Sequence, residues 1–154
     1  MSPRRKLIAE NRKARHDFHI LEKVEAGVAL TGTEVKSLRD GGGNLRDSFA
    51  ALRDGELYLM GANIAPYRQG NIANHDPLRE RKLLLHRREI RDLGDKVAQK
   101  GMTLVPLALY FRDGRVKVEL GLARGKERGD KRQALAERDA KRQIDRELKE
   151  RFRR

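Results

Sequence analysis

The chain has 154 residues, 38% hydrophobic and 38% charged, which is apolar material for one core plus an appendage but not for packing every residue. A net charge of +13, from 36 Lys and Arg against 23 Asp and Glu, is hard to explain without a polyanionic partner, nucleic acid ahead of an anionic membrane surface. The absence of cysteine excludes disulfides, thiolate zinc sites and thiol catalysis and fits a reducing, cytoplasmic location, and no apolar run is long enough for a membrane span or a signal peptide.

Residues 1–15 read as a basic arm. Arg4, Arg5, Lys6, Arg12, Lys13 and Arg15 stand against a single acid, Glu10, and such a segment repels itself and is expected to order only on a polyanion. His16 to Glu22 reads as a strand with Phe18 and Ile20 on one side. The stretch from Glu25 to Leu38 organises the rest of the chain. Val28 and Leu30 end a strand, Gly32 breaks it, and Thr33 caps a short helix with Glu34 in its first turn. Val35 and Leu38 share the inner face of that helix and plug a core, while Lys36 and Arg39 point elsewhere. Gly41, Gly42 and Gly43 stop it.

Ser48 to Arg53 and Glu56 to Met60 make a hairpin around Asp54-Gly55, a dipeptide that tolerates a type I′ turn; Phe49 and Ala51 alternate in its first arm, Leu57 and Leu59 in its second. Ala65 to Arg79, with Pro66, Gly70 and Pro77, reads as a long loop of the functional kind. Arg81-Lys82 is a basic pair before the apolar Leu83-Leu84-Leu85. Ile90, Leu93 and Val97 recur at helical spacing, closed by Gly101. Met102 to Phe111 is a strand in which Pro106 marks an edge or a bulge. Asp113-Gly114 turns it into Arg115 to Leu122, where Val116, Val118, Leu120 and Leu122 alternate strictly. From Arg124 to Arg154 there are 13 Lys or Arg and 7 Asp or Glu, and Ile144, Leu148 and Phe152 make too narrow a stripe for a core. Residues 124–154 are therefore a helix-prone tail, frayed when free.

These elements predict a mainly β fold over residues 16–123, a small closed antiparallel β-barrel of the OB type with two or three short helices plugging its ends. An open α+β sandwich is the alternative, since periodicity alone does not close a barrel.

The residues suggest no catalysis. His16, His19, His75 and His86 read as surface histidines, and His16 and His19 would lie on opposite faces of a strand, poor geometry for a shared metal. No G-x-S-x-G is present, and Gly121 to Lys126 lacks the spacing and hydroxyl of a phosphate loop. No cofactor or metal is called for. Lys and Arg supply phosphate affinity with little sequence readout, and aromatics at 5% are too few for a broad stacking platform, so structured RNA is the preferred ligand. A charge-only RNA-coating protein and an RNA-processing enzyme are the rivals.

In order along the chain stand Asn11-Arg-Lys-Ala-Arg-His16, Glu25-Ala-Gly, Leu30-Thr-Gly-Thr-Glu-Val-Lys-Ser-Leu-Arg39, Asn74-His-Asp-Pro77, Arg81-Lys-Leu-Leu-Leu-His86, Gly125-Lys126 and Asp130-Lys-Arg132. From about Asn11 to Arg132 the chain closely resembles the SmpB family of SsrA-binding proteins. The resemblance implies an OB-type barrel that binds the tRNA-like domain of tmRNA. It also implies delivery of alanyl-tmRNA, with elongation factor Tu, to stalled ribosomes by a monomer without membrane attachment. Asn11, Glu25 and Leu84 fall on family positions tied to tmRNA binding; Arg12, Lys13, Arg15, His16, Lys36 and Arg39 are added as phosphate contacts from charge and location. Gly125, Lys126, Asp130, Lys131 and Arg132 correspond to the family's ribosome-engaging segment, whose tail enters the small-subunit decoding centre and the empty mRNA channel. One departure matters: many relatives carry an aromatic or histidine before Asp-Lys-Arg, and Gly129 stands here, which cannot stack.

Overall fold

The computed structural model describes residues 5–68, 74–99 and 101–126, with residues 138, 141–144 and 146 of the tail. Strand β1 (Arg5–Glu10) leads into helix α1 (Arg12–Asp17), strand β2 (Phe18–Val28) and helix α2 (Gly32–Arg39). Short β3 (Gly43–Asn44), β4 (Phe49–Arg53), β5 (Glu56–Met60), short β6 (Asn63–Ile64) and β7 (Arg81–Leu84) come next. Helix α3 (Arg87–Val97) then precedes the long hairpin of β8 (Met102–Arg112) and β9 (Arg115–Gly125).

The strands close on themselves. Neighbours run β8-β4-β5-β7-β2-β9, and β9 pairs again with β8, every pairing antiparallel. This is the closed antiparallel class predicted, and the β8–β9 pairing rules out the open sandwich. Both predicted hairpins form on their Asp-Gly turns, with Asp54, Gly55, Asp113 and Gly114 all at positive φ as a type I′ turn requires. A second, two-stranded sheet joins β3 to β6.

One edge of β8 lies along β9, and the other is shared by β4, at Leu104, and by β1, which pairs with Ala108 to Arg112. Pro106 falls between those two partners, where β8 shifts register against β9, so it marks a bulge in a central strand rather than an edge. The apolar run Leu104 to Tyr110 is buried on both faces. Leu104 and Leu109 face the main core with Leu57, Leu59, Leu83, Val118 and Leu120, and α2 and α3 contribute Leu38, Ile90 and Leu93. Val105 and Leu107 face outward into a second, smaller cluster with Ala14 of α1 and Ala123.

Five expectations are corrected. Arg5–Glu10 is a paired strand and not an arm awaiting a polyanion, because Leu7, Ala9 and Glu10 extend the β8 ladder. His16 lies in the last turn of α1, which ends at Asp17, and the following strand begins at Phe18. In α2 the N-cap is Thr31, two residues before Thr33, and Glu34 reaches back to the Thr31 amide at 2.8 Å. Its inner face is Glu34, Ser37 and Leu38, with Val35 only half-buried. In β4 it is Ala50 that faces the core, and Phe49 is 46% exposed, because pairing to Leu59 and Leu104 sets the register.

Candidate nucleic-acid interface

The geometry begins at Asn11, which is 4% exposed and has its polar side-chain atoms turned inward. Its Nδ2 donates to the carbonyls of Pro106 at 2.9 Å and Leu45 at 3.2 Å, and its Oδ1 accepts the Ala14 amide at 3.2 Å as the α1 N-cap. Its own amide donates to Leu107 O at 2.9 Å. Asn11 thus occupies the gap on the β8 edge between β4 and β1 and fixes where α1 starts. Ala14 then pins the helix to the outer apolar cluster.

That anchoring aims three exposed cations. Arg12 has no carboxylate partner among the described residues. Lys13 Nζ lies 2.5 Å from Asp47 Oδ1, and that ammonium holds the Asp47 carboxyl below the usual range. Arg15 lies 3.5 Å from Glu119. His16 is half-buried, with Nδ1 3.0 Å from its neighbour Asp17. Such exposed pairs contribute little stability, so a phosphate can replace the carboxylates at small cost.

Beside α1 on the same outer face, β2, β8 and β9 bring a polar cluster together. Tyr110, 1% exposed, donates its hydroxyl to Glu25 Oε2 at 2.5 Å, and Arg112 Nη1 donates to the same oxygen at 2.7 Å. Burial first, then the Glu25 carboxylate, push the Tyr110 phenol up to about 12. The Arg5 guanidinium stacks 3.8 Å from the Tyr110 ring centroid and bonds Glu119 at 3.2 Å, and Glu119 in turn meets Arg15. Glu25 therefore belongs to a network tying β1, α1 and the hairpin into one face. Two residues along β2, Gly27 pairs with Leu84. Leu84 is 52% exposed while Leu83 points into the core, which makes Leu84 an outward apolar point on a polar face.

Lys36 and Arg39 project from α2, both exposed and without carboxylate partners among the described residues. Arg39 sits 5.8 Å from the Phe111 ring centroid at the end of the β8–β9 hairpin, and Lys36 5.7 Å from that of Tyr67. The structure thus gathers Arg15, Glu25 and Leu84 along one outer face, with Arg12 exposed on the same helix as Arg15, Lys36 and Arg39 at an adjoining end and Lys13 turned toward Asp47. Gly125 closes β9 opposite Phe18, and the Lys126 amide donates to Asp17 O at 2.9 Å, so the chain leaves the barrel next to the end of α1. Gly129, Asp130, Lys131 and Arg132 lie outside the described residues.

The two members of the basic pair before α3 part company, Lys82 exposed and Arg81 buried. Arg81 is fully buried: its Nε donates to Glu34 at 2.5 Å, its Nη1 to Ala62 O at 2.9 Å and its Nη2 to Pro77 O at 3.1 Å. Arg79 bonds the other Glu34 oxygen at 2.7 Å. Burial alone would raise the Glu34 pKa, but the bonds from Arg79, Thr31 and Arg81 outweigh it and hold the carboxyl at about 2. His75 also departs from a surface role, with Nε2 bonding Ile64 O at 2.8 Å and Nδ1 the Thr33 hydroxyl at 2.9 Å. The one sequence signal for the ion pair was Glu34 at the third position of a capping box, which places it on the inner side of the first turn. Among the described residues no group of three His, Cys, Asp or Glu could hold a metal ion, and no helix is long and apolar enough to cross a membrane.

A family model described as SmpB protein matches residues 8–150. The chain belongs to the SmpB family. It is 58% identical over 149 residues to the SsrA-binding protein of Acetivibrio thermocellus, covering 97% of each chain. To the SsrA-binding protein of Acidothermus cellulolyticus it is 61% identical over 144 residues, covering 94% of this chain and 91% of the relative. A chain of a solved structure described as "tmRNA-SmpB: a journey to the center of the bacterial ribosome" superposes with a TM-score of 0.67 at 59% identity, over 82% of this chain and 93% of that one. The SmpB match spans the anchored α1, Glu25 with Tyr110 and Arg112, Leu84 and the start of the tail alike.

Proposed function

We propose that this chain is a non-enzymatic, cytoplasmic adaptor of ribosome rescue by trans-translation. Its barrel binds the tRNA-like domain of tmRNA, and together with elongation factor Tu it delivers alanyl-tmRNA, as a monomer, to ribosomes stalled on mRNA lacking a stop codon. Arg12, Lys13, Arg15, His16, Lys36 and Arg39 contact phosphates, Leu84 supplies an apolar contact, and Glu25 sits among them as a shaped acceptor. Asn11 acts through α1, since its own hydrogen-bonding atoms are occupied by the protein. Gly125, Lys126, Asp130, Lys131 and Arg132 begin the segment that engages the decoding centre, and residues 127–154 enter the empty mRNA channel.

The observation that carries this reading is the acid on the cationic face. A protein that coats RNA by charge alone gains no affinity from a carboxylate held by Tyr110 and Arg112 beside Arg5 and Arg15, whereas a site shaped to one RNA can use it as an acceptor. The test is truncation after Lys126, which keeps β9 whole. Binding of the tRNA-like domain should stay nearly intact while peptide tagging on stalled ribosomes is lost. Equal loss of both, or tagging that survives, would overturn the division of labour between barrel and tail.

A further inference from the structure

The C-terminal end of α2 and the segment after β6 enclose an open pocket lined by Ser37, Asp40, Gly42, Pro66, Tyr67 and Arg68. Its wall is fixed before any ligand arrives. Ser37 Oγ donates to Ala65 O at 2.6 Å, and the Ala65 amide donates to Gly42 O at 2.7 Å. A side chain at Gly42 would put its Cβ 2.3 Å from Ser37 Oγ, so the clasp requires glycine there. Beyond Pro66, the Asn74 side chain takes both polar backbone atoms of Tyr67, accepting from its amide at 3.0 Å and donating to its carbonyl at 2.6 Å. The backbone that carries the Tyr67 ring is therefore held from both sides, while the ring is only half-buried.

Around the ring stand the groups a nucleotide needs. Lys36 Nζ lies 5.7 Å from the ring centroid, and Arg68 follows Tyr67 directly, exposed and without a carboxylate partner among the described residues. Asp40 is the carboxylate of the lining; it repels a phosphate but accepts a base N–H. An aromatic face preorganised beside two cations and one acceptor matches a nucleobase with its adjoining phosphate better than it matches a duplex backbone, for which an aromatic ring has no use.

We infer that this pocket is a subsite for one unpaired nucleobase of the RNA held by the barrel, stacked on Tyr67 with its phosphate between Lys36 and Arg68. The inference rests on the RNA-binding reading above and adds a base contact to the phosphate contacts proposed for Lys36 and Arg39 of α2. It also gives Asn74 a role, since that side chain holds the Tyr67 backbone with the ring 5.7 Å from Lys36 of α2.

The test uses the full chain, which has no tryptophan, so Tyr67→Trp introduces a single reporter. On titration with the tRNA-like domain of tmRNA, the Trp emission should be quenched by stacking, with affinity equal to wild type. Tyr67→Phe should also bind as wild type. Tyr67→Ala should bind about tenfold more weakly, the loss of one base–aromatic stack, at an unchanged melting temperature. A free nucleoside monophosphate should neither quench nor compete, because the phosphates of the polymer supply most of the affinity. Absence of quenching, or Tyr67→Ala binding like wild type while Arg15→Ala is weakened, would remove the subsite and leave the RNA-binding reading standing. A wild-type protein that fails to bind the domain would overturn both.

Discussion

Replacing Glu34 by Gln tests what holds α2 and the 62–81 segment together. The carboxylate is fully buried and accepts from Arg81 at 2.5 Å, Arg79 at 2.7 Å and the Thr31 amide at 2.8 Å. Glutamine keeps the shape but offers an amide N–H₂ to a guanidinium, donor against donor, and leaves the buried Arg81 charge uncompensated. The carboxyl pKa falls from 4.5 to about 2 on folding, which at 1.36 kcal/mol per unit is a stabilisation of roughly 3 kcal/mol at neutral pH. Because the folded pKa is the lower one, that stabilisation is complete above about pH 4.5 and is lost as pH falls through about 2. Urea unfolding followed by far-UV circular dichroism should show Glu34→Gln less stable by roughly 3 kcal/mol at pH 7, about a 10 °C drop in Tm for a chain of this size. At pH 3 the difference should shrink to roughly two-fifths, since about one of the roughly 2.5 units of the shift then remains expressed. A variant within about 1 kcal/mol of wild type at pH 7, or a gap that does not narrow in acid, would refute the reasoning.

Asn11→Ala should lower stability by about 1–3 kcal/mol through three lost side-chain hydrogen bonds, whereas Arg12→Ala should leave Tm unchanged and reduce the salt slope of RNA binding by about one; the reverse pattern would mean that Asn11 touches RNA itself. Tyr110→Phe and Glu25→Gln should each weaken RNA binding, and the double variant should be no weaker than Glu25→Gln alone, because the phenol acts through the carboxylate; additive losses would separate the two. Leu84→Ala should weaken RNA binding with little change in unfolding midpoint, as Leu84 is 52% exposed, and a large fall in Tm would return it to the core.

The strands that alternate with one face in water were legible, as were the two Asp-Gly hairpins, the α3 stripe and the strand character of Met102 to Phe111. The features that the sequence concealed have a common physical cause: partners far apart in the chain. Arg81 looks like a surface cation until Glu34, 47 residues away, is folded against it. Asn11 looks like an RNA-contacting amide until the Pro106 bulge, 95 residues away, presents its carbonyl. The first strand was hidden because its charges suggested an arm, while the open stretch of the β8 edge that receives it is visible only once β4 proves too short to fill it. Phe49 and Ala50 exchanged faces for a related reason, since in a short strand the partner's register outweighs the apparent alternation. The motifs around Glu25 and Leu84 located the face; the network through Tyr110, Arg112 and Arg5 that shapes it came from the fold.

The central claim is recognition of one RNA by shape. Binding of the full chain to the tRNA-like domain of tmRNA should be measured against an ordinary tRNA of equal length at two salt concentrations. Both affinities should fall as salt rises, because both include phosphate contacts, but the preference for the tRNA-like domain should survive, since the Glu25 face and the Leu84 contact do not act through counterion release. Equal affinities that collapse together would contradict the account and leave only a basic protein that coats RNA.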